Sequence, residues 1–191
     1  MNWPENLKLD PGARTALEKV PHQYPVLANW VEDQKFHDAE DVAAIAEILI
    51  HEFHDELKSA TIAYLFKEKS TSRGRSPAAK AAKLGARDVH LSSGYVFVIV
   101  VLWDRWKKMD LVTRVALVDH ELEHFGIDDN GNFTMIEHDI EEFNTTVQRW
   151  GAWEPSVSLF LQAAKSQVEM FSSKEEATEP SSAPPPVQVT K

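Results

Sequence analysis

Cysteine is absent from the 191-residue chain. Its absence excludes disulfide bonds, a thiolate metal site and a cysteine nucleophile, and it is typical of proteins from a reducing compartment. Long apolar runs are missing too: the longest, residues 95–103 (YVFVIVVLW), is far shorter than the roughly 20 residues that cross a bilayer. The opening MNWPENLKLD lacks the charged-then-apolar pattern of a signal peptide. We therefore expect a cytoplasmic protein with no membrane partner.

Positive charge is scarce as well. The 20 Lys and Arg residues stand against 30 Asp and Glu, which gives a net charge of -10. Nucleic acids and anionic membranes are bound by clustered cations, so this balance argues against a nucleic-acid partner. One exception is the basic stretch at residues 67–83 (KEKSTSRGRSPAAKAAK), where glycine and proline predict a long mobile loop.

The composition along the chain predicts one main domain with two appendages. Residues 1–38 contain two short helical pieces punctuated by prolines, PGARTALEKV and PVLANWVEDQKF, and are interpreted as an N-terminal helical extension. Residues 39–171 form the main domain. Residues 172–191 are rich in Pro, Ser and Glu and have few large apolar side chains, so we expect a disordered tail.

Hydrophobic periodicity predicts both strands and helices within the main domain. The strands are residues 61–69 and residues 95–103, the second apolar on both faces, as in a strand covered by layers on both sides. The helices are residues 38–53, 111–125 and 136–150, with a last amphipathic helix starting near Pro155. Strands first and helices later favour an α+β fold in which a short β-sheet packs against helices.

The first of these helices ends in HEFH. Its histidines, His51 and His54, are three residues apart, and no third candidate ligand lies nearby in the sequence. We therefore interpret them as surface or helix-end histidines.

A second histidine pair, His120 and His124, lies in VDHELEHFG, residues 118–126, and has the H-E-x-x-H pattern. At 100° per residue, four apolar side chains of the helix fall within about 40° of Leu111, and together with it they predict the core stripe. The stripe consists of Leu111, Val115, Val118, Leu122 and Phe125. His120 and His124 lie on the opposite side, one turn apart, where two imidazoles can meet one cation. Glu121 is about 100° from His120, within reach of a water at the metal but poorly aimed as a ligand. Gly126 is a plausible helix cap.

The predicted helix at residues 136–150 can supply a third ligand. Its apolar stripe comprises Ile136, Ile140, Phe143, Val147 and Trp150, and its other side carries His138, Glu141, Glu142, Thr145 and Arg149. The turn-forming DDNGN of residues 128–132 allows this helix to fold back onto the histidine pair.

Catalytic zinc needs three protein ligands, so we expect one Zn²⁺ per chain. His138 is the favoured third ligand, followed by Glu142 and then Glu141. Carboxylates that do not bind the metal, and also Asp119, are candidates to orient the ligating imidazoles.

Four blocks of the chain together resemble the family of putative phage metallopeptidases. They are LKSATIAYLFKEKSTSRGR, YVFVIVVLWDRWKKMD, ALVDHELEHFG and HDIEEFNTTVQRWGAW, between about residues 52 and 153. The resemblance implies a small zincin-like domain, distantly similar to SprT-like proteases, with His120, His124 and His138 as ligands and Glu121 as base. It also implies a phage or prophage protein that acts in a bacterial cytoplasm on a host or phage protein.

The expected reaction is hydrolysis of a peptide bond by metal-activated water, with Glu121 as general base. The strand at residues 95–103 is either an edge strand that binds the peptide by β-augmentation or a buried strand without substrate contact. Arg149 is a weak candidate for stabilising the oxyanion and can equally pair with Glu142 or Thr145.

Two alternative functions stay open. One is a catalytically silent metal-binding interaction protein, for example an inhibitor of a host system, although such a protein has no need of the base Glu121. The other is a SprT-like protease of DNA-bound proteins, which the acidic chain and the lack of cysteine argue against.

Overall fold

The computed structural model describes residues 3–4, 7–69, 77–138, 143–155, 157–159 and 161–162. The chain divides into two compact units, Met1–Trp153 and Glu154–Lys191. The elements labelled below all belong to the first unit. The domain limits at residues 38/39 and 171/172 stay predictions, and the expected tail, residues 172–191, lies outside the described residues.

The described helices agree in part with the sequence pattern. They are α1 (Pro11–Gln23), α2 (Glu40–Phe53), α3 (Ala86–Leu91), α4 (Trp103–Trp106), α5 (Leu111–Glu123) and α6 (Asn144–Trp150). A 3₁₀ turn, Asp55–Leu57, follows α2. Aspartates cap α1 and α5, since the Asp10 carboxylate accepts from the Gly12 and Ala13 amides and the Asp110 carboxylate from the Thr113 amide. Residues 155, 157–159 and 161–162 are helical, close to the predicted helix start at Pro155.

A four-stranded mixed sheet lies beside these helices. Its strands are β1 (His37–Asp38), β2 (Ile62–Lys67), β3 (Ala79–Lys83) and β4 (Phe97–Leu102), in the order β1-β2-β4-β3. β2 and β4 are parallel, and the other two pairings are antiparallel. Two short strands, β5 (Phe125–Ile127) and β6 (Phe133–Met135), form a separate hairpin. Helices with a small mixed sheet confirm the predicted α+β class.

The core joins the sheet to α2 and α5. All five residues of the predicted α5 stripe are buried, from Leu111 at 6% exposure to Val115 and Leu122 at 0%. Phe125 stacks on Phe97 of β4, with ring centroids 4.1 Å apart. The motif helix is therefore fixed against the sheet by its apolar face.

Two predictions about the strands are wrong. The stretch AKAAK, expected to belong to a mobile loop, is strand β3. Alanine and lysine have low strand propensity, but Ala79 and Ala81 are buried where they pair with β4, and this tertiary context overrides the propensity. β4 lies between β2 and β3, so the edge-strand alternative for residues 95–103 is incorrect. The two edge strands of the sheet are β1 and β3.

Two helix predictions also need correction. Residues 25–36, all of which are described, contain no helix, so PVLANWVEDQKF is not the second helical piece. The helix expected from residue 136 begins only at Asn144. Phe133–Met135 pairs with β5 instead, and the chain leaves the hairpin in extended form through His138. Residues 139–142 lie outside the described part.

Within the described part of the chain, no helix has the length and hydropathy required to cross a membrane.

Candidate active site

The end of α5 places the H-E-x-x-H residues. His120 and Glu121 lie in its last turn, the helix stops at Glu123, and His124 is the C-cap. His124 has φ -71° and ψ -12°, so it continues the helical path and stays one turn above His120. The two imidazole centroids are 5.3 Å apart.

The hairpin brings His138 back to this pair. Its turn is held by the Asp128 carboxylate, which accepts from the backbone amides of Asn130 and Asn132. Beyond β6, the Ile136 amide donates to the carbonyl of His124 at 2.8 Å. His124 Nδ1 donates in turn to the Ile136 carbonyl at 3.0 Å. This reciprocal pair ties the segment that carries His138 to the second histidine of the motif.

Gly126 permits that approach, although it is not the helix cap that the sequence predicted. It lies within β5, opposite Thr134. A Cβ atom placed on Gly126 would lie 2.6 Å from Cδ1 of Ile136. Glycine at this position therefore leaves room for the Ile136 side chain.

Three imidazoles meet as a result. His138 has ring centroids 5.1 Å from His120 and 4.5 Å from His124. One nitrogen of each ring can be chosen so that all three lie within 4.8 Å of one another. Phe143 packs on every ring of the group, at 4.8 to 5.5 Å between centroids. The Trp153 ring centroid is 5.8 Å from that of His120.

The donor atoms suit a tetrahedral zinc ion. Nε2 of His138 and Nε2 of His120 are 3.4 Å apart. Two ligands about 2.1 Å from a tetrahedral zinc are separated by roughly the same 3.4 Å. Because Nδ1 of His124 donates to a backbone carbonyl, Nε2 is the nitrogen that carries the lone pair in the neutral ring and is the atom that would ligate a metal. The residues present therefore fit zinc in number, type and spacing.

Burial differs across the group. Glu121 is buried at 4% exposure, His120 and His124 are half-buried, and His138 is exposed. A ligand can therefore approach from the side of His138. Glu141 and Glu142, the alternative third ligands, lie outside the described residues.

Asp119 has a different environment from the one its sequence position predicts. The sequence made it a candidate to orient the ligating imidazoles, yet it is buried at 0% exposure and the hydrogen bonds described for it run to other side chains. Its Oδ1 accepts from Nε2 of His54 at 2.8 Å, and its Oδ2 accepts from Nε of Arg149 at 2.8 Å and from Nε1 of Trp150. Burial acts to raise the pKa of Asp119, but the His54 hydrogen bond, the Arg149 charge and the Trp150 hydrogen bond together hold this pKa below its ordinary value.

His54 is a helix-end histidine, as one of the two interpretations of HEFH expected, because it is the C-cap of α2. The surface interpretation is wrong for it. It is buried at 2% exposure under α5. The sequence offered no signal for this contact, because His54 and Asp119 are 65 residues apart. Sequence reasoning missed the role of Trp150 for the same reason, since its indole nitrogen pairs with Asp119 across 31 residues.

Arg149 pairs with Asp119 and Glu123. Of the partners predicted for it, Glu142 lies outside the described residues. Potential ligand atoms of His54, Asp119 and Glu123 also lie within 4.8 Å of one another. The guanidinium of Arg149 already supplies the positive charge at these carboxylates. This second group is therefore an ion-pair network and not a metal site.

Comparisons with known proteins agree with the motif. Neither a curated protein nor a solved structure matches the chain significantly. The family model described as Putative phage metallopeptidase matches residues 34–165, which is more than half of the chain and includes all three histidines. The chain therefore belongs to the putative phage metallopeptidase family, whose description indicates a metal-dependent peptidase.

Proposed function

We propose that this protein is a zinc-dependent peptidase in which His120, His124 and His138 bind one Zn²⁺ and Glu121 is the general base. The observation that carries the proposal is the convergence of three imidazole nitrogens within 4.8 Å, on elements from either side of a hairpin. Glu121 lies on the same turn of α5 as His120 and is shielded from bulk water at 4% exposure.

Zinc in such a site acts as a Lewis acid, which lowers the pKa of a water to about 7 and polarises the scissile carbonyl. The chain supplies the proton transfers. The Glu121 carboxylate accepts a proton from the attacking water and delivers it to the departing amine. The Nδ1–H of His124 stays hydrogen-bonded to the Ile136 carbonyl, which keeps that ring in one orientation throughout.

The substrate is proposed to be a phage or host protein that binds as an extended strand. β3 ends the sheet order, so its outer backbone groups face away from β4. The ammonium group of Lys83, the last residue of β3, donates a hydrogen bond to the carbonyl of Phe133 in the hairpin. The edge strand and the histidine-bearing hairpin are thus neighbours, and a peptide added to β3 would run beside the site.

Metal analysis tests the ligand set. We expect one zinc per chain in the wild type and loss of that zinc in His120→Ala, His124→Ala and His138→Ala. His51→Ala is the matched control, because His51 is an exposed histidine on α2 that should leave the stoichiometry unchanged. Full zinc content in all three site variants would refute the assignment.

Glu121→Gln tests the base. This variant keeps the side-chain shape, so we expect it to retain zinc and to lose peptide cleavage, because the amide cannot accept the proton from water. The assay compares new protein N-termini in a bacterial lysate treated with wild type or variant. Zinc binding without cleavage by the wild type would instead indicate a silent metal-binding interaction protein, and equal cleavage by both proteins would exclude Glu121 as base.

A further inference from the structure

One guanidinium joins the two residues that precede the motif histidines. Asp119 comes directly before His120, and Glu123 comes directly before His124. Nη2 of Arg149 is 2.8 Å from Oδ2 of Asp119 and also contacts Oε1 of Glu123. Since Arg149 belongs to α6, the carboxylates of Asp119 and Glu123 are both tied to that second helix.

The network is anchored on both oxygens of Asp119. Oδ1 accepts from His54, at the end of α2, while Oδ2 accepts from Arg149 and Trp150 of α6. The side chain of Asp119 has 0% exposure and that of Arg149 has 18%. Hydrogen bonds to ionised groups are stronger and more directional when water is excluded. They therefore hold α6 and the end of α2 at fixed positions on α5.

The position of α6 matters to the metal site because its N-cap is Phe143. The Phe143 ring is buried at 4% exposure and lies 5.1 Å from the His138 ring, centroid to centroid. It also lies 5.5 Å from His120 and 4.8 Å from His124. A movement of α6 along α5 would therefore shift a side chain that contacts all three imidazoles.

We propose that Arg149 is a positioning residue for the metal centre. By holding Asp119 and Glu123 at one guanidinium, it sets the spacing between α5, which carries His120, and the Phe143 end of α6, against which His138 packs. The proposal rests on the proposed zinc site. It differs from a purely structural role, which would lower the stability of the protein and leave the affinity of the folded protein for zinc unchanged.

The test compares Arg149→Lys with Glu123→Gln, measuring zinc dissociation constants by chelator competition. Lysine keeps the charge but presents a single ammonium, which cannot reproduce the fork that reaches both carboxylates. We expect Arg149→Lys to bind zinc about 10- to 100-fold more weakly, the usual effect of losing a group that orients metal ligands. Glu123→Gln should weaken binding in the same direction by less. Arg87→Lys, on the exposed surface of α3, is the control and should match the wild type.

Proton NMR of the metal-free protein supplies a second readout. The wild type should show cross-peaks between the rings of His138 and Phe143, and Arg149→Lys should weaken them. If the wild type binds no zinc, the proposed function is wrong. The positioning role of Arg149 is then tested by the cross-peaks alone. Unchanged zinc affinity or unchanged cross-peaks in a folded Arg149→Lys protein would overturn it. If that variant does not fold, wild-type affinity in Glu123→Gln would overturn it.

Discussion

Removal of the Asp119 carboxylate tests how strongly the buried network stabilises the protein. In Asp119→Ala, the hydrogen-bond donors of His54, Arg149 and Trp150 lose their shared acceptor. Because Asp119 has 0% exposure, water cannot easily replace that acceptor. Breaking a buried ionic network by deleting one partner costs about 3–5 kcal/mol. For a chain of this size each kcal/mol lowers Tm by about 2–4 °C, so the expected fall is roughly 6 to 20 °C.

Asp119→Asn should cost less. Its amide oxygen still accepts from Arg149 and Trp150, and its amide nitrogen can donate to His54 if that ring changes tautomer. What is lost is the charge, and we expect about 1–3 kcal/mol from weakened ionic hydrogen bonds. The order of stability should therefore be wild type, then Asp119→Asn, then Asp119→Ala.

The assay is urea unfolding of the metal-free protein at pH 7, followed by far-ultraviolet circular dichroism. Asp55→Asn is the control, because Asp55 forms an exposed ion pair with Lys58 and its loss should not change the midpoint measurably. A cost for Asp119→Ala below about 1 kcal/mol, the range of an exposed ion pair, would refute the reasoning.

Two further predictions concern stability. Burial raises the pKa of Asp41, although the hydrogen bond from Trp106 and the charge of Arg114 act to lower it. The folded protein therefore favours protonated Asp41, and the stability that this proton contributes is lost as the pH rises through the raised pKa. Asp41→Asn should therefore gain stability relative to wild type as the pH rises above about 4, the ordinary range of an aspartate pKa, and a pH-independent difference in urea midpoints would contradict this. Gly126→Ala should cost about 1 kcal/mol, because the new Cβ meets Cδ1 of Ile136, whose side chain is half exposed and can move. The double variant Gly126→Ala/Ile136→Val, which lacks that Cδ1, should recover most of the lost free energy of unfolding. If the effects of the two single variants simply add in the double variant, the clash between Cβ and Cδ1 is excluded as the cause.

Local sequence signals predicted the elements that have strong periodicity. The apolar stripe of α5 is buried as the helical wheel requires, and β2 and β4 follow runs of β-branched and aromatic residues. β3 was missed because AKAAK has no strand signal of its own and is held by pairing with β4. Residues 136–138 were assigned to a helix because Ile136, Phe143 and Trp150 have helical spacing, but pairing of β6 with β5 keeps this segment extended.

The sequence motif was sufficient to predict the three histidines of the candidate site, but not the buried network that holds the surrounding helices in place. H-E-x-x-H on an amphipathic helix places two histidines one turn apart away from the core stripe, whatever the rest of the fold. A histidine 14 residues further on can return to them once DDNGN forms a turn. The position of His54 in the sequence, in contrast, gives no indication of its contact with Asp119. The ion-pair partner predicted for Arg149 was a neighbour on its own helix, because contacts with another helix have no signature in the local sequence.

By itself, then, the sequence determined the α+β class, the motif helix and the three histidines as candidates, because these depend on periodicity and residue type within short windows. Only the tertiary structure decided that β4 is interior, that His138 arrives on an extended segment and that Asp119 is buried between His54 and Arg149. The physical reason is that strand order, hairpin pairing and a buried ion pair each depend on groups far apart in the chain. Their free energies arise only when the chain has folded and water is excluded.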